Sequence, residues 1–136
     1  MMRRALLLWA PVAVYMAAIF YVSSLPQPTV PLGGDKPWHL LAYFGLGVLT
    51  IRAVAGGLPA SIQWRVAAIA TAIAVGYAAT DELHQMYVPG RSAELTDLLA
   101  DAIGVVLGTS ICWAWGRVPR KSQDARHKAQ VTRPRL

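Results

Sequence analysis

The chain has 136 residues, of which 55% are hydrophobic and 15% are charged, and it carries a net charge of +6. This composition is too apolar for a typical soluble domain and favours a single integral membrane domain. It also speaks against a nucleic-acid partner, because the basic residues lie between and after the apolar runs and are not interleaved with aromatic residues. The single cysteine, Cys112, excludes an intramolecular disulfide.

Four apolar segments follow one another along the chain, at residues 5–22, 38–51, 66–80 and 95–115. The first has 18 residues without a charge, and as a helix it would extend roughly 27 Å and nearly cross the apolar core of a bilayer. Its basic start resembles a signal peptide, but the run is long for one and lacks an A-x-A pattern, so we expect it to remain uncleaved. On the fourth segment, Gly104 and Gly108 are spaced so that another helix can approach closely. The pattern predicts an all-α fold, a polytopic bundle of four transmembrane helices in residues 1–116, followed by a basic, disordered tail in residues 117–136.

The distribution of basic residues between the segments predicts the orientation of the bundle. Eleven of the 13 lysines and arginines fall before the first segment, between the second and third, and in the tail, whereas Lys36 and Arg91 fall in the other two connections. Because cytoplasmic loops carry the excess of basic residues, both termini are predicted to be cytoplasmic in a multi-pass protein of the inner (plasma) membrane. Six of the seven acidic residues, against two basic ones, then lie on the outer face and give it a charge of −4.

Two polar motifs lie at this predicted outer face. The first, DKPWHLLAYF, begins the second helix, and the second, DELHQMYVPGRSAELTDLLADAIG, joins the third helix to the fourth. Helical spacing places His39 with Tyr43, and Asp97 with Asp101, on shared faces. Asp101 lies about 9 Å below the start of its helix, where an unpaired carboxylate is costly, so we expect it to have a partner or a bound proton. The candidates are His39, Tyr43, Arg91 and an external cation.

The second motif predicts further contacts at the same face. Asp81 shares a helix face with His84 and Gln85, which follow it by three and four residues. The Pro-Gly turn should fold the chain back, so that Arg91 pairs with one of the acids of the outer face, of which Asp97 and Asp81 are the leading candidates.

These blocks resemble the hallmark motifs of the VanZ-like family. The resemblance covers roughly residues 21–108 and includes YVSSLP, DKPWHLLAYFGLG and TDELHQMYVPGRSAELTDLLADAIGVVLG. The family motif positions carried over to this chain are Asp35, Lys36, His39, Asp81, Glu82, His84, Gln85, Arg91 and Asp97. At Asp101 the family more often has an asparagine. The resemblance implies a small polytopic membrane protein, and some family members are linked to reduced susceptibility to glycopeptide antibiotics such as teicoplanin.

Three classes of function remain open for the outer face. The first is a binding or structural module of the cell envelope, in which the acids pair with Arg91, Lys36 and the histidines. The second is a metal-dependent membrane hydrolase or transferase acting on an envelope lipid, although no dedicated spacing such as H-E-x-x-H is present. The third, a proton or cation pathway, is the weakest, because no ionisable residue lies deep in the inner half of any segment.

The candidate site comprises the acids and imidazoles of the outer face with their neighbours: Asp35, Lys36, His39, Tyr43, Asp81, Glu82, His84, Gln85, Arg91, Asp97 and Asp101. The candidate ligands of a divalent metal within this set are His39, His84, Asp81, Glu82 and Asp97, since imidazoles and carboxylates can together hold an ion and an activated water. The expected partners are the lipid bilayer and an envelope lipid or a glycopeptide. The residues identify no catalytic group. The charge of −4 predicts that the outer face holds a cation or an additional proton.

Overall fold

The computed structural model describes residues 2–26, 36–58, 61–91 and 93–116. This part of the chain consists of four α-helices and contains no strand: α1 (Met2–Ser23), α2 (Lys36–Val54), α3 (Trp64–Gln85) and α4 (Leu95–Trp115). The predicted all-α fold with four helices is confirmed. Asp35 and the predicted tail at 117–136 lie outside the described residues.

The helices follow the apolar segments of the sequence closely. α4 has the predicted bounds, whereas α1, α2 and α3 are each longer than their segments. α3 extends furthest, to Gln85, because no glycine or proline interrupts the DELHQ motif. The chain then turns at Pro89 and Gly90, where the φ angle of Gly90 is +81°, a conformation that glycine adopts without strain.

Three of the helices are long and apolar enough to cross a membrane, namely α1, α3 and α4. α2 is not among them, because Lys36 and His39 occupy one of its ends and Arg52 lies near the other. Leu6 and Ile69 are both more than half exposed, at 62% and 53%, as expected for helix faces that contact lipid. The apolar helices therefore suit a lipid bilayer, and the fourth span stays a prediction.

α2 lies at the centre of the bundle. It packs against each of the other three helices, and its contact with α4 is the most extensive. A Cβ atom at Gly104 would collide with the carbonyl oxygen of Leu40, and one at Gly108 would collide with that of Phe44. The predicted close approach of a helix to these two glycines is confirmed, and the helix that approaches is α2.

The buried faces of α3 and α4 change from apolar to acidic along the bundle. On α3, Ala70, Ala74 and Ala78 are fully buried at four-residue spacing, and the next inward positions are Asp81 and Glu82. On α4 the acids come first, and the glycines that contact α2 follow. Because the end of α3 and the start of α4 are joined by a short loop, the acids of both helices meet at one end of the bundle.

Candidate functional site

The ends of all four helices contribute to one group of polar side chains, here called the polar cluster. It contains Ser23 from α1, Lys36, His39 and Tyr43 from α2, Asp81, Glu82 and Gln85 from α3, and Asp97 and Asp101 from α4. Four of its carboxyl groups are buried, with Asp101 the most deeply buried at 1% exposure. Buried acids are stable only when they are hydrogen-bonded or paired, so the partners of each acid define the site.

Asp81 connects three helices through its two carboxylate oxygens. The Ser23 hydroxyl donates to Oδ1 at 2.6 Å, and the Tyr43 hydroxyl donates to Oδ2 at 3.1 Å. Gln85 Nε2 is a longer neighbour of Oδ2, at 3.5 Å. Two hydroxyl donors therefore stabilise this buried carboxylate, with α1 and α2 each supplying one.

Asp101 pairs with His39, one of the partners that the sequence predicts for it. His39 Nδ1 lies 2.9 Å from Asp101 Oδ1, and the two side chains are 12% and 1% exposed. In this arrangement the Nδ1 hydrogen is donated to the carboxylate, which fixes the imidazole at the interface between α2 and α4. Tyr43 shares the helix face of His39, as predicted, but its hydroxyl binds Asp81 and not Asp101.

Lys36 makes a second connection between α2 and α4. Its Nζ donates to Asp97 Oδ1 at 3.0 Å and, less closely, to Glu94 Oε2 at 3.4 Å. Asp97 is buried whereas Lys36 and Glu94 are about half exposed. This ion pair therefore lies at the boundary between the polar cluster and its surroundings.

Glu82 receives its hydrogen bond from the backbone. The N–H of Glu94, which immediately precedes α4, donates to Glu82 Oε1 at 2.6 Å. The Glu94 side chain makes no capping hydrogen bond itself, so the hydrogen bond that its backbone N–H donates to Glu82 fixes this end of α4 to α3. The other carboxylate oxygen, Glu82 Oε2, is buried and has no hydrogen-bond partner.

His84 turns towards α1 instead of joining the imidazole of His39. Its ring stacks on Phe20, with centroids 4.3 Å apart, and its Nε2 lies 3.0 Å from the Ser24 hydroxyl. Phe20 and Ser24, and Ser23 in the polar cluster, are not among the candidate site residues predicted from the sequence. A signal for the serines was present, since YVSSLP closes the first apolar segment at the predicted outer face.

The predicted pairing of Arg91 with Asp97 or Asp81 is wrong. Arg91 donates to the carbonyl oxygen of Leu25 and to Gln85 Oε1, both at 3.1 Å, and forms no ion pair among the described residues. Gln85 lies between the guanidinium and Asp81, so the arginine approaches that acid only through the amide. The turn directs Arg91 to Leu25, two residues beyond the end of α1, whose carbonyl oxygen accepts one of its two bonds.

The candidate metal ligands are not brought together on one point. Within the described ranges, no group of three or more His, Cys, Asp or Glu side chains is arranged to hold a metal ion. The imidazole of His39 binds Asp101, that of His84 faces α1, and both oxygens of Asp81 accept hydroxyl donors. Asp35, the remaining candidate of the site, lies outside the described residues.

A family model described as VanZ/LLP1 matches residues 6–116, most of the chain. The chain belongs to this family. The resemblance drawn from the motifs is therefore confirmed, and the match extends beyond them to nearly all of α1 and α4. No curated protein and no solved structure matches the chain.

Proposed function

We propose that this VanZ-family chain is a four-span protein of the bacterial plasma membrane whose polar cluster faces outward and binds an envelope lipid. Through this binding it lowers the susceptibility of the cell to glycopeptide antibiotics. Both termini lie in the cytoplasm in this proposal, and α2 is the fourth span.

The position of α2 supports its role as a span. Its 19 residues extend about 28 Å, close to the thickness of the apolar core of a bilayer. Because α2 is packed between the other helices, it contacts less lipid than they do and can carry more polar residues.

The charge distribution supports the orientation. The polar cluster gathers four buried acids at one end of the bundle. The other end of the bundle carries basic residues. One of them, Arg4, donates from Nη2 to the carbonyl oxygen of Gly56 at 2.8 Å, and Gly56 lies in the connection between α2 and α3. The positive-inside rule assigns this basic end to the cytoplasm.

The observation that carries the binding role is the unpaired oxygen of Glu82. Hydrogen bonds within the protein account for the contacts of Asp81, Asp97 and Asp101 described above, and each of these bonds joins two helices. A cluster with only a structural role has no need for a further buried acceptor. We infer that a group from outside the chain completes the hydrogen bonding of this acceptor.

The test is the glycopeptide susceptibility of a bacterial host that expresses the chain. We expect the unmodified chain to raise the inhibitory concentration of teicoplanin above that of an empty vector, and Asp81→Asn to abolish the rise. Asp124→Asn, the same change at the acid assigned to the cytoplasmic side, should retain it. Immunoblots of isolated membranes check that the variants accumulate to the same level as the unmodified chain. Identical inhibitory concentrations for all strains would contradict the proposed function.

A further inference from the structure

One buried oxygen leaves the polar cluster incomplete. Glu82 is 6% exposed, and its Oε1 accepts the N–H of Glu94, whereas its Oε2 is buried without a partner. Among the described residues, no other carboxylate oxygen is both buried and unpartnered. A buried acceptor without a donor is costly, particularly when the acceptor belongs to a carboxylate.

The surroundings of this oxygen are negatively charged. Asp97 and Asp101 lie close enough to Glu82 to interact with it electrostatically, as does His39. The cluster has four buried acids, against one lysine and one histidine that can carry positive charge. With all four acids ionised and the histidine protonated, these residues leave a net charge of −2.

We propose that Glu82 Oε2 accepts a hydrogen bond from a primary ammonium group, which makes the polar cluster a recognition site for an ammonium-bearing ligand. The proposal rests on the proposed function and specifies the chemistry of the ligand. A primary ammonium has three N–H donors and a positive charge, so it satisfies the oxygen and reduces the negative charge at once. A neutral hydroxyl supplies only the hydrogen bond.

A divalent metal fits this position less well than an ammonium group. Calcium takes six to eight oxygen ligands, and the described residues contain no group of three His, Cys, Asp or Glu side chains arranged to hold an ion. An ammonium group needs far fewer acceptors, because each N–H makes its own hydrogen bond.

In this proposal the ligand reaches Glu82 from the connection between α3 and α4, since Oε2 itself is buried. Glu82 lies in the last turn of α3, and the side chain of its backbone partner Glu94 is 52% exposed. Met86 and Tyr87 in the same connection are exposed, and aromatic residues at the end of a membrane helix lie at the level of the lipid head groups. A lipid head group and a free amine are thus two sources of the same ammonium chemistry.

Thermal unfolding of the full chain in detergent tests the proposal with methylammonium chloride as the probe. Tetramethylammonium chloride at equal concentration is the control, because it has the same charge but no N–H donor. We expect only methylammonium to raise the unfolding midpoint, by about 5 °C at ten times its dissociation constant. Glu82→Gln should weaken its binding roughly tenfold or more. Glu94→Gln removes the same charge from an exposed carboxylate and should leave the response intact.

Nanodiscs distinguish the two sources of the ammonium group. Phosphatidylethanolamine carries a primary ammonium, whereas phosphatidylcholine carries a trimethylated one. A higher midpoint in phosphatidylethanolamine that Glu82→Gln abolishes and Glu94→Gln retains identifies a lipid head group. A response to methylammonium without a difference between the lipids identifies a free amine.

Three results would overturn the ammonium site: equal stabilisation by both cations, no response to methylammonium or to the lipid head group, or an unchanged response in Glu82→Gln. The teicoplanin assay with Asp81→Asn is independent of these probes. A failure of the ammonium site is therefore distinguishable from a failure of the proposed function.

Discussion

Tyr43 provides a direct test of how the polar cluster holds the helices together. Its hydroxyl lies 3.1 Å from Asp81 Oδ2 and connects α2 to α3, and the residue is 1% exposed. Tyr43→Phe removes this donor and leaves the ring in place. Asp81 then retains the Ser23 hydroxyl at 2.6 Å and the longer contact with Gln85.

The expected loss follows from the charge of the acceptor. Hydrogen bonds to charged groups contribute about 1.5–3 kcal/mol, whereas interhelical hydrogen bonds in membrane proteins average about 0.6 kcal/mol. Burial prevents water from replacing the lost hydroxyl, but Ser23 still satisfies one oxygen of Asp81. We therefore expect Tyr43→Phe to lower the free energy of unfolding by about 1.5 kcal/mol.

Tyr77 and Tyr21 provide matched controls for the same substitution. The Tyr77 ring centroid lies 6.4 Å from that of Tyr43, but its hydroxyl donates to a neutral acceptor, the carbonyl oxygen of Met16, at 2.6 Å. Tyr77→Phe should cost about 0.6 kcal/mol, the average for such bonds in membranes. Tyr21 is exposed, so Tyr21→Phe should leave the stability unchanged.

Equilibrium unfolding in mixed micelles with increasing dodecyl sulfate, followed by circular dichroism, measures all three variants. The comparison depends on the difference between Tyr43→Phe and Tyr77→Phe, which should be about 1 kcal/mol. If Tyr43→Phe costs no more than Tyr77→Phe, the carboxylate acceptor adds nothing to the stability of the bundle, and the expected difference is refuted.

Two further predictions concern packing and topology. Gly104→Ala should destabilise the bundle by about 1–3 kcal/mol, because the added methyl group collides with the backbone of Leu40. Gly76→Ala should not destabilise it, because the added methyl group meets no atom within 4 Å. Equal unfolding free energies for the two variants would contradict this prediction. A reporter that is active only in the periplasm should stay silent when fused after Leu136 and should be active when inserted at Gly90, and the reverse pattern would exclude the proposed orientation.

The helices could be predicted from the sequence because their apolar runs are long and bounded by polar residues. α4 begins where SAE gives way to LTDLL, and both of its bounds were predictable. The partner of Asp101 could also be predicted from the sequence. An acid deep in a membrane helix needs a partner, and few candidates lie at the same end of the bundle. His39 meets that need at 2.9 Å.

The pairing of Arg91 could not be predicted in the same way. An arginine next to several acids suggests an ion pair, because charge is visible in a sequence whereas the position of a backbone carbonyl oxygen, such as that of Leu25, is not. The position of Gln85 between Arg91 and Asp81 depends on how the turn folds. The same applies to Glu82, whose unpaired oxygen results from side-chain geometry that helical periodicity does not determine.

The bundle contains neutral polar contacts between hydroxyl groups and charged contacts of buried carboxylates, and only the charged contacts require charge to be desolvated. Near the middle of the bundle, Thr71 and Thr109 join α3 to α4 through a single hydroxyl pair, 2.9 Å apart, and leave no charge behind. Helices in a membrane gain little from hydrophobic burial against one another, so such neutral contacts and close backbone packing suffice to hold them. The acids of the polar cluster achieve the same connections at the cost of desolvating charge. Because neutral side chains could join the helices without that cost, the choice of four buried acids, one of them with a free oxygen, favours recognition of a positively charged group over a structural role alone.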